Sequence, residues 1–316
     1  MANGVLQRLG AVRGGNIRLT QLHQSDAAVA AYAAFRRAMS RLGLQVVVKS
    51  FYSPIPDLGA LPRDVWERRS DLPGIELDLD GQLSFLERVL GPHVREFRPA
   101  HERAGDHGFH LDNPSYGPGD AETLFAWVRH ARPRRVVEVG SGFTTLVIAE
   151  AARRNAADGH APEVRVFDPY PGVAGPGTPG VTEFHREPAQ QIPLDVFTAL
   201  ERDDILVVDT THTVKVGGDV NRIVLDVLPR LGAGVLVHFH DIFLPYEYPR
   251  AWPERYGLYW SEQYLLQAFL ALNRDFRIEL ALHALTRVHR DRVAAVIPSL
   301  AAGGAPAAFW IRRGYG

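Results

Sequence analysis

The chain has 316 residues, 46% of them hydrophobic and 22% charged, a globular balance that is ample for a sizeable core and leaves room for two domains. Its 35 basic residues nearly cancel its 36 acidic ones, so no basic excess points to nucleic acid and no acidic run reads as a solvated tail. Cysteine is absent, which excludes disulfides, thiolate metal sites and cysteine nucleophiles. The N-terminal stretch through Gly15 lacks the apolar core of a signal peptide, and no apolar run approaches the ~18 residues that span a bilayer, so the expectation is a cytoplasmic protein without a membrane partner.

The first 115 residues carry little alternating pattern. A helix is predicted over 26–42, a short strand near Leu44–Lys49, a proline-punctuated stretch around Tyr52-Ser-Pro-Ile-Pro-Asp57, and a second helix over 81–90. An accessory segment over 1–115 is expected, one that packs on the core, covers its cleft or makes a homodimer. From 116 to 316 short apolar strands alternate with amphipathic helices, the pattern of a doubly wound, mostly parallel α/β sheet. Asp120 reads as the N-cap of a helix ending near Ala131, where Pro133 stops it. Strands follow at 135–139, 164–168, 181–185, 205–209 and 234–238, with helices from Thr144, over 219–230 and over 261–273. Two late β-rich segments, 276–282 and 308–312, are expected to form a hairpin at the sheet edge. There is no internal repeat.

The strongest chemical signal is Glu138-Val-Gly-Ser-Gly142, at the end of a strand and opening a helix at Thr144-Thr145. Glycines there let the backbone approach a ligand, and a helix N-terminus offers free N–H groups. Asp168 ends the next strand, where a carboxylate can accept both hydroxyls of a ribose. A dinucleotide site prefers a third glycine where Thr145 stands, which weakens a dehydrogenase reading.

With Asp209 after the fourth strand, this arrangement resembles the class I S-adenosylmethionine (SAM)-dependent methyltransferases. Asp209-Thr-Thr-His212, Lys215-x-Gly-Gly-Asp-Val-Asn221, Leu228-Pro-Arg-Leu231, Val237-His-Phe-His-Asp-Ile-Phe-Leu-Pro245 and Glu262-Gln-Tyr-Leu-Leu-Gln-Ala-Phe269 resemble one bacterial branch of that superfamily. The resemblance covers residues 105–316 closely and 50–90 more loosely. It implies a Rossmann-like seven-strand sheet and in-line transfer of the SAM methyl to a nucleophile. By position, Glu138, Gly140, Ser141 and Gly142 would cradle the methionine and ribose portions, with Thr144 opening the helix beside them. Asp168 would bind the ribose hydroxyls, with Pro169 and Tyr170 near the adenine. Asn113 and Tyr116 lie in a segment similar to the one that passes over the SAM site, and either contact the methionine end or belong to an ordinary loop.

Asp209 ends one strand and His240-Asp241 lie just past the next, so the three are expected to converge at the carboxyl edge of the sheet. Oxygen-rich sites with one imidazole suit Mg²⁺ or Mn²⁺, and also Fe²⁺ or Zn²⁺. The arrangement is similar to metal-dependent sugar and macrolide O-methyltransferases, which pair an acid after strand four with two adjacent acids after strand five; here His240 replaces the first of that pair. Two readings stay open: a divalent ion on Asp209, His240 and Asp241, or a metal-free His240–Asp241 pair that shapes the pocket. His212 is the expected general base, since an ordinary histidine exchanges a proton near neutrality. His238 reads as a buried, satisfied histidine. Tyr52 and Asp57 either close the cleft or form a surface turn. Trp252, Tyr259 and Trp260 either wall the substrate or pack in the core.

The function expected is methylation of a small molecule, most simply a hydroxyl of a sugar or natural product. The alternatives are cyclisation of SAM's own aminobutyryl arm, which would yield methylthioadenosine, and SAM binding without catalysis.

Overall fold

A computed structural model of the chain describes residues 26–100 and 108–314. The expectation drawn from the N-terminal stretch through Gly15 lies outside the described residues. In chain order the elements begin with α1 (Asp26–Ser40) and α2 (Leu79–Phe85), which runs through a π-helical turn at Leu86–Leu90 into α3 (Gly91–Glu96). There follow α4 (Asp120–Ala131), β1 (Arg135–Val139), α5 (Phe143–Ala157), β2 (Glu163–Phe167), β3 (Glu183–His185), α6 (Leu194–Thr198), β4 (Ile205–Val208) and α7 (Asp219–Asn221), which wider and tighter turns extend to Arg230. The last elements are β5 (Leu236–Phe239), α8 (Glu262–Leu270), β6 (Phe276–Ala281), α9 (Leu282–Val288), α10 (Arg290–Val296) and β7 (Phe309–Arg313).

The seven strands form one sheet in the order β3-β2-β1-β4-β5-β7-β6. β1 to β5 are parallel, and β7 runs antiparallel to both β5 and β6. Both faces are covered, which is why the strands read as nearly continuous apolar runs. Val136, Val164, Ile205 and Leu236 pack on one face against Leu124 and Trp127 of α4. Val137, Leu206 and Val237 pack on the other, against Val220, Ile223 and Leu266. The strand order reverses between β1 and β4, so the loops leaving their carboxyl ends diverge and leave a crevice there.

The described residues divide into two compact units, 26–63 with 251–259 and 64–250 with 260–314. The second carries the sheet. Its boundary falls between Arg63 and Asp64 rather than after residue 115, because Leu83, Leu86, Leu90, Val94 and Phe97 form a helical stripe buried with α4 in the core. In the first unit α1 buries none of its residues, and the strand expected over 44–49 does not form. Leu44 and Val47 are exposed there, with no strand beside them among the described residues to complete a ladder. The two late β segments do pair, but α9 and α10 separate them, and β7 lies inside the sheet with β6 at its edge. Among the described residues, no helix is long and apolar enough to cross a membrane.

Candidate functional site

The turn after β1 is built by contacts among three strand ends. Gly140 has φ +91°, and a Cβ at that position would sit 1.8 Å from the Asp209 carbonyl oxygen. The backbone of the β4 end therefore demands glycine here, whatever a ligand requires. Gly142 differs: its φ of 170° is ordinary extended backbone, and a Cβ there would meet nothing within 4 Å. Ser141 donates to Asp168 Oδ2 from both its backbone N–H and its hydroxyl, each at 2.7 Å, and the Tyr170 N–H donates to Asp168 Oδ1 at 2.6 Å. Asp168 thereby ties the β2 end to the turn.

These loops border a cleft of about 330 Å³, lined by Gly140, Asp168, Pro169, Tyr170 and Asp209 together with Pro188, Ala189, Gln190, Thr211, Lys215 and Asp219. Thr211, Lys215 and Asp219 fall within the motifs that carry the resemblance, though the resemblance gives them no role. Pro188, Ala189 and Gln190 lie outside those motifs and are signalled only by position, past the carboxyl end of β3. Gln190 Nε2 donates to the Gly217 carbonyl at 2.9 Å and so holds those two loops together.

Glu138 and Thr144 do not line this cleft. Both are buried beneath the turn, Glu138 with no exposed surface and with neither carboxylate oxygen hydrogen-bonded. Burial pushes the Glu138 carboxyl up to about 8, against the opposing pull of the nearby Thr144 and Thr145 hydroxyls. Asn113 is used up locally: its amide nitrogen donates to the carbonyls of His110 and Tyr116, and its oxygen accepts from the N–H groups of Ser115 and Tyr116. Of the two readings open for Asn113, these bonds favour the one in which it organises its own loop. Tyr116 is buried too, with its hydroxyl 3.0 Å from His238 Nε2 and its ring 4.7 Å from the His240 ring. It backs the histidines instead of the cleft. His238 is satisfied at that nitrogen only, Nδ1 having no partner, and burial holds its pKa down at about 3.

Past β4 and β5 a second group converges. Ligand atoms of Asp209, His240 and Asp241 all lie within 4.8 Å of one another, as a metal-holding trio requires. His240 Nδ1 lies 3.5 Å from Asp209 Oδ1 and 3.4 Å from Asp241 Oδ2, while its Nε2 faces Asp120 Oδ2 at 3.4 Å. Asp120 is the first residue of α4, and Gly119, not Asp120, occupies the cap position. His212 joins from the other side, with Nε2 3.3 Å from Asp209 Oδ1 and Nδ1 2.8 Å from Glu262 Oε2. Its carbonyl accepts from the N–H groups of Ser261 and Glu262, so one residue anchors the start of α8 twice. Trp260 packs on the His212 ring at 4.2 Å, whereas Trp252, Tyr259, Tyr52 and Asp57 belong to the other unit, where Asp57 pairs with Lys49 at 2.7 Å.

His212 and Asp241 both have positive φ, +53° and +57°, a left-handed backbone that non-glycine residues seldom adopt and that concentrates at functional sites. Burial opposes charge throughout the cluster, but the pairing overrides it on three of the four groups. The histidines hold Asp209 well below the usual carboxylate range despite its burial. Burial would lower His212, yet its hydrogen bonds to Asp209 and Glu262 raise it to about 10. His240 is likewise raised, against burial, by the Asp241 and Asp209 charges. At Asp241 burial prevails and lifts the carboxyl to about 6. The hydrogen bonds of His212 to Asp209 and Glu262 thus favour its imidazolium form, where the sequence alone suggests an ordinary histidine.

Residues 137–242 match a family of proteins described as methyltransferase domain. An uncharacterized protein of Archaeoglobus fulgidus is 30% identical over 167 residues, covering 49% of this chain and 73% of that relative. Among solved structures, the chain is similar to CmcI-N160 with S-adenosylhomocysteine (SAH), at 13% identity over 84% of this chain and 98% of that one, TM-score 0.37. It is also similar to an O-methyltransferase from Bacillus cereus in complex with SAH, at 12% identity over 73% of this chain and 91% of that one, TM-score 0.35.

Proposed function

This chain belongs to the class I SAM-dependent methyltransferases, and on that premise we propose that it methylates a hydroxyl of a small molecule, a sugar or natural product, with a divalent ion held by Asp209, His240 and Asp241. The observation that carries the proposal is the double membership of Asp209, which lines the cleft and belongs to the trio beside it. A methyl donor in the cleft and an acceptor on the trio would thus meet at one residue.

The cleft suits SAM because Asp168 presents a carboxylate at the β2 end with Pro169 and Tyr170 beside it. Next to the cleft, the turn after β1 leaves open space at Gly142 and stands over the two partnerless buried oxygens of Glu138. A buried carboxyl lacking donors is unfavourable, and a cationic ligand group nearby relieves it. SAM, when bound, supplies a methyl group already activated on its sulfonium. The chain's own task is then to align the acceptor and remove its proton.

The trio offers two carboxylate oxygens and one imidazole nitrogen, a donor set that fits a divalent ion, and such an ion lowers the pKa of a hydroxyl it binds. Glu262 fixes His212 with Nδ1 as the donor, so that Nε2 faces the acceptor side of the cluster. Asp209 and Asp241 hold the proton on that Nε2. In this reading His212 becomes the base once those two carboxylates are engaged as ligands.

The state of Glu138 gives a test of the donor site. At pH 6.5 the free protein keeps Glu138 protonated, since its pKa is about 8, whereas the ionised form is favoured beside a cationic ligand. SAM binding therefore expels a proton, and SAM affinity rises as pH rises toward 8. Calorimetry in buffers of different ionisation enthalpy is expected to register this release in the wild type and to lose it in Glu138→Gln. A buffer-independent binding heat in the wild type would remove Glu138 from the donor site.

A further inference from the structure

The residue behind His240 comes from a distant part of the chain, outside the motifs that carry the methyltransferase resemblance. Asp120 opens α4 and is 5% exposed. Its Oδ1 accepts from the backbone N–H groups of Ala307 and Ala308 at 2.8 and 2.7 Å, which fixes the carboxylate against the start of β7. Its other oxygen, Oδ2, faces His240 Nε2 at 3.4 Å. The ring is held in place by the Tyr116 ring at 4.7 Å, and its opposite nitrogen, Nδ1, faces Asp209 and Asp241.

A neutral imidazole carries one proton, and a partner that can only accept dictates which nitrogen keeps it. Carboxylates face both nitrogens of His240, so the choice falls to Asp120 only where an ion would engage Asp209 and Asp241: the Nε2 proton would then stay with Asp120 and Nδ1 would be the nitrogen left to ligate. This is the arrangement by which carboxylates behind a ligating histidine fix its tautomer and raise its basicity. A nitrogen donor in turn shifts preference away from Mg²⁺, which favours oxygen, toward first-row transition ions.

We propose that Asp120 is the positioning residue of the centre: it keeps the His240 proton on Nε2, aims Nδ1 between Asp209 and Asp241, and so makes a nitrogen-bearing site that takes Mn²⁺ or Co²⁺ in preference to Mg²⁺. The inference rests on the metal-assisted reading above and assigns a role to a residue that reading does not use.

The test is an Mn²⁺ titration of the full chain, followed by the electron paramagnetic resonance signal of free Mn²⁺, with Mg²⁺ as competitor and SAM affinity measured in parallel. In Asp120→Asn the amide oxygen can keep the bonds to Ala307 and Ala308 while its NH₂ faces Nε2, which drives the His240 proton onto Nδ1. Mn²⁺ affinity is expected to fall about 10–100-fold, with SAM affinity retained. In a His240→Asn background the same change is expected to have no further effect. Should Asp120→Asn fail to fold, the ¹⁵N imidazole spectrum of the Zn²⁺-loaded wild type, with His240→Asn for assignment, reads the tautomer directly, and Nε2–H is expected. Unchanged Mn²⁺ affinity in Asp120→Asn, an equal loss in the His240→Asn background, Mg²⁺ competing as well as Mn²⁺, or an Nδ1–H tautomer would each overturn the inference and leave the metal reading standing. A wild type that binds SAM but no divalent ion would overturn both.

Discussion

Exhaustive chelation is expected to abolish SAH formation by this chain, and Mn²⁺, or less effectively Mg²⁺, to restore it, while SAM binding persists. The expectation follows from the separation of the two sites: the cleft is lined by Gly140, Asp168, Pro169 and Tyr170, and of the trio only Asp209 reaches it. Asp241→Asn is expected to mimic the chelator, because an amide oxygen is a poorer ligand than a carboxylate. Its turnover should drop by more than the about 10–100-fold typical of losing a residue behind a metal ligand. His212→Ala is expected to lower kcat by about 10²–10⁴-fold while the ion still binds, as loss of a base does. The pH dependence has a defined sign. His240, raised above its ordinary range, must shed a proton to ligate, and Asp241, lifted to about 6, is protonated below that value, so ion affinity falls as pH falls through the raised His240 range and again through about 6. Full activity after chelation, with no metal found by elemental analysis, would decide for a metal-free His240–Asp241 pair.

Gly140→Ala is expected to be the most damaging single-methyl change in the site. A Cβ there would lie 1.8 Å from the Asp209 carbonyl oxygen and 2.8 Å from its carbon, at a φ of +91° that alanine resists. The carbonyl has little room to retreat, since the Asp209 N–H donates to the Val139 carbonyl at 3.0 Å. Strain at such positions is about 1–3 kcal/mol before the clash is counted, and the sum places the variant among the rare losses above about 4 kcal/mol. Gly142→Ala is the control. Its Cβ meets nothing within 4 Å, so it should melt like the wild type and lose SAM affinity instead. Thermal unfolding of the two variants side by side checks this, and a Gly140→Ala protein with wild-type stability would contradict it.

The sheet was legible because its strands are buried on both faces and so appear as apolar runs between turn residues; 135–139 and 120–131 fall where the periodicity puts them. The segment over 44–49 misled because its alternation had no partner to pair with among the described residues. Asp209, His240 and Asp241 could be grouped from sequence because Asp209 directly follows β4 and the His240-Asp241 pair follows β5, and parallel neighbouring strands bring their ends together. Asp120 and Glu262 could not, since their contacts join residues 120 and 50 positions apart that no local pattern connects. The protonation of His212 was hidden for the same reason. An isolated histidine titrates near neutrality, and only the carboxylates of Asp209 and Glu262, supplied by separate loops, move it to about 10.

SAM is expected to occupy the cleft between the β1 turn and the β2 end, held there by Asp168. Calorimetric titration of SAM into the wild type and Asp168→Ala tests it most directly. One site per chain is expected in the wild type. The variant should bind more weakly by about 1.5–3 kcal/mol, the worth of hydrogen bonds to a charged acceptor. Equal SAM affinity in the two proteins would contradict the assignment.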